Sequence, residues 1–146
     1  MPATLLTPQQ LIEAAKAPIV AYSRKDWNAV KAGLASDVVY DEVATQRRVE
    51  GADATIALWQ GWAAALPDSA ATIHAACASG NTVVLELIWT GTHTGPLTTP
   101  NGVIAATGKR IEVRACQVIE LALETGKTTT QRHYFDLGTL LAQLGV

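Results

Sequence analysis

Two short stretches carry residue types spaced for proton chemistry. In "VVYDEV", Tyr40 and Glu42 stand two apart, on one face of a strand, with Asp41 facing away. In "QRHYFD", the same alternation puts Arg132, Tyr134 and Asp136 on one face and His133 and Phe135 on the other. A carboxyl group in an apolar pocket loses hydration, its pKa rises, and it can take or give a proton beside a substrate carbonyl. If Asp136 faces such a pocket, Arg132 and Tyr134 face it too. Arg132 could then bind a substrate carboxylate or hold a pocket carboxylate, and Tyr134 could donate to an enolate oxygen. Each has a structural counterpart: Asp136 as the N-cap of the last helix, Arg132 in an ion pair, Tyr134 packed in the core. On this reading His133 belongs to the outer face.

Other polar residues are candidates for holding a ligand. Gln117 lies mid-strand between apolar neighbours, where a buried amide needs partners and could orient a carbonyl; Arg114, Cys116 and Glu120 take the opposite, outward face. The stretch "WTGTHTGP" ends an apolar strand face on His93, which could touch a ligand or fix the loop by hydrogen bonds. Its glycines permit a bulge or twist where the strand leaves the sheet. His74, His93 and His133 are the only histidines, and no H-x-H or H-E-x-x-H spacing gathers them into a metal site. Trp27, Trp59, Trp62 and Trp89 stand out beside one Phe. Broad flat rings suit a polycyclic aromatic ligand, and equally an ordinary core.

The elements that must position these residues follow from periodicity. Thr7, Pro8 and Gln10 make a capping-box start for a helix in which Pro18 predicts a kink or split. A break near residues 23–26 predicts a second helix starting at Asp26. "DVVYDEV" reads as a strand, and "QRRVEGADATIALWQGWAAAL" as a helix with Ile56, Trp59 and Ala63 on one face. Two strands follow around a turn at 79–81, then a loop from Pro96 to Gly108. Two long strands joined by "ETGK" and a short C-terminal helix close the chain. The order is α+β rather than alternating βαβ. A curved antiparallel sheet wrapped around the helices leaves a pocket at its open end, the default ligand site.

The bulk numbers bound the function. The 146 residues make one domain, 1–146, with 49% apolar residues and a net charge of −2. No basic run offers a footprint for nucleic acid. No apolar run is long enough to span a membrane. "MPATLLTPQQ" lacks a basic start and an apolar core, so a cytoplasmic domain is expected, with Cys77 and Cys116 as buried thiols rather than a disulfide.

The segments "GTHTGPL", "GVIAATGKRIEV" and "GKTTTQRHYFDLGTLLAQLGV", with "LPDSAATI" and "YSRKDWNAVKAGLASDVVYDE", resemble the SnoaL-like polyketide cyclases, or ester cyclases, of the nuclear-transport-factor-2-like superfamily. The resemblance covers most of the chain. It implies a cone-shaped curved antiparallel sheet around N-terminal helices, a homodimer, a small hydrophobic or aromatic ligand, and neither metal nor organic cofactor. It also implies an acid/base residue on the last strand, which is Asp136 here, supported by Arg132 and Tyr134. Glu42 stands about where the related ketosteroid isomerases carry their catalytic aspartate. Aligned through Asp26, their oxyanion-stabilising tyrosine falls on Pro18, and Tyr22 lies one turn later. Trp59, Trp62, Tyr40, Trp89, Gln117 and His93 are the expected substrate contacts. The implied activity is cofactor-independent aldol cyclisation or isomerisation of a hydrophobic carbonyl compound. A non-catalytic binding or dimerisation module is the other reading, favoured by a cavity that is small or filled by the tryptophans, and strongly by one that no carboxylate faces. Epoxide hydrolysis, which wants an Asp–Arg–Asp set, matches Arg132 and Asp136 only loosely.

Overall fold

The computed structural model describes residues 4–146; Met1 to Ala3 of the expected domain lie outside the described residues. Helix α1, Pro8–Ser23, starts at the expected capping box, Thr7 Oγ1 accepting from the Gln10 backbone N–H and Gln10 Oε1 accepting from the Thr7 backbone N–H. It runs on through Pro18 rather than ending there. The break comes instead at Lys25, in the left-handed region at φ 57°. Asp26 then caps α2, Trp27–Ala32.

Strand β1, Leu34–Glu42, leads through a short 3-10 turn, Val43–Thr45, into β2, Arg47–Glu50. Residues 47–50, expected to be helical, are therefore strand. Gly51, at φ 95°, makes the corner that lets α3, Ala52–Ala65, begin. Then come β3, Ala70–Ser79, and β4, Thr82–Thr92. The loop expected at 96–108 holds a small hairpin, β5, Leu97–Thr99, and β6, Gly102–Ile104. The long strands β7, Arg110–Leu121, and β8, Thr128–Phe135, precede α4, Leu137–Leu144.

The main sheet has the order β2-β1-β8-β7-β4-β3. It is mixed, not wholly antiparallel, because β8 returns to lie parallel beside β1 while the other pairs are antiparallel. β4 and β7 alternate: Val83, Leu85 and Leu87 pack inward with Val113, Ala115 and Ile119. Helix α1 lies on one end of this inner face through Leu11, Ala15 and Ile19. At the other end, α3 and α4 bring Ala65, Leu66, Leu140 and Leu144 against Ile111 and Val113. A third cluster, centred on Tyr22, Tyr40 and Trp59, joins α1, β1 and α3. The space left between these clusters is the cavity. No helix among the described residues is long and apolar enough to cross a membrane. Cys77 is exposed and Cys116 half-buried, both free thiols, so the expectation of burial is corrected. They sit on the side of the sheet that carries no helix.

Candidate active site

The inner face of the sheet and the helices above it enclose a cavity of about 70 Å³. At about 10–15 Å³ per water, that is room for about five water molecules. Rings set edge to face make up much of its wall and back it, alongside Ile19, Leu66, Ile111, Val113 and Leu140. Tyr22 meets Trp27, Trp59 and Trp89 at 5.7, 6.2 and 5.4 Å, Tyr40 meets Trp59 at 5.5 Å, and Trp62 meets Phe135 at 5.9 Å. Such packing locks each ring through the electrostatics of its edge. Among the described residues, no charged side chain lines the cavity.

Its polar groups fall into three sets. Tyr22 Oη bonds Ser69 Oγ at 2.6 Å, and Lys25 Nζ donates to the Ser69 carbonyl while lying over the Tyr22 ring. Burial pushes the Tyr22 hydroxyl up to about 12, so it stays protonated. Tyr22 thus reaches the cavity, which its position one turn past Pro18 left open. Second, Gln131 Nε2 donates to Gln117 Oε1 across adjacent strands, both side chains being buried. That leaves the Gln117 amide N–H and the Gln131 carbonyl for a ligand.

The third set is a chain of hydrogen bonds. Trp89 Nε1 donates to His133 Nε2 at 3.1 Å, His133 Nδ1 lies 2.9 Å from Tyr40 Oη, and Tyr40 Oη donates to Glu42 Oε2 at 3.0 Å. Burial lowers the His133 pKa to about 4, so the ring is neutral near pH 7. The Tyr40 hydroxyl is driven well above its usual range by burial and by the adjacent Glu42 charge.

Glu42 ends the chain, fully buried. An ionised carboxylate there requires compensation. Arg47 gives it, with Nη2 and Nε at 2.6 and 3.2 Å from Oε1; Thr45 Oγ1 adds a bond at 2.5 Å and Trp62 Nε1 one at 2.9 Å. Local sequence explains the cluster. The turn at 43–45 folds the chain back so that Thr45 and Arg47 face the strand end they have just left.

The structure brings together Glu42, Tyr40, Trp59, Trp62, Trp89 and Gln117, and leaves four expected residues elsewhere. Asp136 is an exposed N-cap, accepting from Gly138 N and Thr139 Oγ1, which hold its pKa below the usual carboxylate range. Tyr134 is 41% exposed, and Arg132 pairs with Glu120 at 3.0 Å on the outer face. The alternation was right and the face was wrong. A register shift between Glu120 and Leu121, opposite Thr128–Thr130, turns the odd residues of β8 inward, so Gln131, His133 and Phe135 line the cavity. His93 is buried outside the cavity lining and fixes the loop: its Nδ1 accepts from Thr107 N, and its Nε2 has no partner among the described residues.

Sequence reasoning missed His133 and Gln131 because it set the face of β8 from Asp136, the residue the resemblance implied, and Asp136 is an exposed N-cap. It missed Arg47 and Thr45 because nothing local marks a turn that packs against its own strand. Ser69 gave no signal. Among the described residues, no three His, Cys, Asp or Glu side chains converge as metal ligands.

The family model of the SnoaL-like polyketide cyclases matches residues 12–144. No curated protein matches. A candidate SnoaL-like polyketide cyclase from Jannaschia sp. CCS1 superposes with a TM-score of 0.84 at 17% identity, over 100% of this chain and 99% of that one. IdmH, a candidate polyketide cyclase from Streptomyces antibioticus, gives 0.79 at 21% identity over 94% and 99%. An LEH-like epoxide hydrolase of M. tuberculosis gives 0.72 at 25% identity over 94% and 90%.

Proposed function

The chain belongs to the SnoaL-like polyketide cyclase family, and from that premise we propose that it moves a proton on a small, neutral, largely apolar carbonyl compound, in a ring closure or an isomerisation. The observation that carries this reading is a fully buried carboxylate, Glu42, joined through one hydroxyl, Tyr40, to the wall of an uncharged aromatic cavity. A substrate C–H beside Tyr40 Oη gives its proton to that oxygen as Tyr40 hands its own to Glu42. The electron pair stays on the substrate as an enolate, and Glu42 becomes the acid that returns the proton after the bond change. The Gln117 N–H faces the developing oxyanion. A lining without charge selects a neutral ligand, since an ion would enter unpaired. At about 30 Å³ of liquid per water, five waters displaced correspond to one substituted ring.

The competing reading, a binding module, draws on the same small cavity and on the absence of any carboxylate among its lining residues. Turnover decides between them. A panel of neutral monocyclic ketones and hydroxyketones is screened for deuterium exchange at the carbon beside the carbonyl. Exchange by the wild type, lost in Tyr40→Phe and in Glu42→Gln and kept in Asp136→Asn, supports the enzyme. Tryptophan quenching by a ligand with no exchange in any variant supports the module. We propose further that the helix-free face of the sheet docks a second copy of the chain.

A further inference from the structure

We infer that Trp89 is a positioning residue that sets the direction of the whole Trp89–His133–Tyr40–Glu42 chain. An indole Nε1 carries a hydrogen and can only donate. Its partner, His133 Nε2 at 3.1 Å, is therefore the lone-pair nitrogen. In a neutral imidazole the hydrogen then sits on Nδ1, which donates to Tyr40 Oη at 2.9 Å. Tyr40 has one hydrogen of its own, and with His133 donating to its oxygen, that hydrogen goes to Glu42 Oε2 at 3.0 Å. One oxygen lone pair of Tyr40 is left for the cavity. Trp89 in turn is held by the edge-to-face contact with Tyr22 at 88°.

Remove the indole N–H and the chain can reverse. His133 is then free to carry its hydrogen on Nε2 and accept the Tyr40 hydroxyl at Nδ1, and the link from Tyr40 to Glu42 is broken. Trp89 thus acts on the proton transfer proposed above without touching the transferred proton. The inference deepens that reading, but its test needs no substrate.

The experiment is nitrogen-15 NMR of protein labelled on histidine, near pH 7, with the His133 signals assigned by their loss in His133→Gln. The wild type is expected to show a neutral His133 ring with its hydrogen on Nδ1. Trp89→Phe is expected to let the Nε2 form appear beside the Nδ1 form. Tyr40→Phe is expected to keep it on Nδ1, because Trp89 still occupies Nε2. A wild-type His133 that is doubly protonated, or that carries its hydrogen on Nε2, overturns the inference. So does a Trp89→Phe protein that keeps the Nδ1 form alone. Should Trp89→Phe not fold, Tyr40→Phe decides: the Nδ1 form retained supports Trp89 as the residue that sets direction, and its loss assigns that part to Tyr40. Absent turnover in the wild type would count against the proposed reaction and leave this result standing.

Discussion

At the scale of the residue, the deciding quantity is how much of a charge is buried. Glu42 is wholly buried and Arg47 is about one-third exposed, at 32%, whereas Arg132 and Glu120 lie at 34% and 37%. Breaking the first pair strands a carboxylate; breaking the second leaves both ends in water. Arg47→Met is expected to cost about 3 kcal/mol and Arg132→Met at most about 1 kcal/mol, read from urea melts; equal losses would contradict the burial argument. His133 gives a second expectation. Unfolded, its imidazole takes a proton near the ordinary 6.5, and folded only near about 4. Between those values the unfolded chain binds more protons, so stability falls as pH drops from 6.5 to 4. The total is about 3 kcal/mol, at about 1.4 kcal/mol per pH unit. His133→Gln should flatten this part of the stability–pH curve relative to the wild type. Glu42 and Tyr40 were legible in the sequence because alternation from Val38 to Glu42 puts both on the inner face. Their partners were not, because the hydrogen bonds from Trp62 to Glu42 and from His133, itself held by Trp89, to Tyr40 depend on the closed fold.

At the scale of the element, one irregularity separates what could be read from what could not. Most strand and helix types, the capping box at Thr7 and the Asp26 cap follow from local rules and are found in place, with residues 47–50 and the hairpin at 97–104 as exceptions. The face of β8 does not follow from local rules. Thr128 is buried, and alternation counted from it would bury residues 130, 132 and 134; the register shift buries 131 and 133 instead. No residue in "TTTQRHYF" announces a bulge. The glycines of "GTHTGP" show the opposite case, a signal whose cause only the fold supplies. A Cβ on Gly95 would stand 2.1 Å from the Ala64 carbonyl oxygen, where the loop crosses the end of α3 and bonds the Ala65 carbonyl. Gly95→Ala is therefore expected to destabilise by about 1–3 kcal/mol. Gly61, inside α3 with nothing near a would-be Cβ, should gain about 1 kcal/mol as Ala. Thermal melts of the two variants should move in opposite directions; a neutral Gly95→Ala would mean that the loop does not hold this close approach.

At the scale of the whole molecule, the helices are spent on one face of the sheet. α1, α3 and α4 supply the buried apolar residues that close the inner side. The outer side of β4, β7 and β8 presents Val84, Ile88, Cys116 and Val118, all half-buried, and Tyr134 at 41% exposure. Around them stand charges of both signs, Glu86 and Arg114, on adjoining strands where Glu86 pairs with Cys116 and Ile88 with Arg114. A two-fold axis through such a face sets apolar residues against themselves and can bring Arg114 opposite Glu86, as an isologous contact requires. A partner of one charge sign would meet like charge somewhere on this face; a second copy need not. Sedimentation across a hundredfold range of concentration should give the dimer mass for the wild type and the monomer mass for an Ile88→Glu, Tyr134→Glu double variant. Because the cavity lies on the other side of the sheet, that monomer should keep the fluorescence response to a bound ketone. A wild type that stays monomeric throughout would remove the second copy as the occupant of this face. A double variant that remains dimeric would move the interface elsewhere on the molecule.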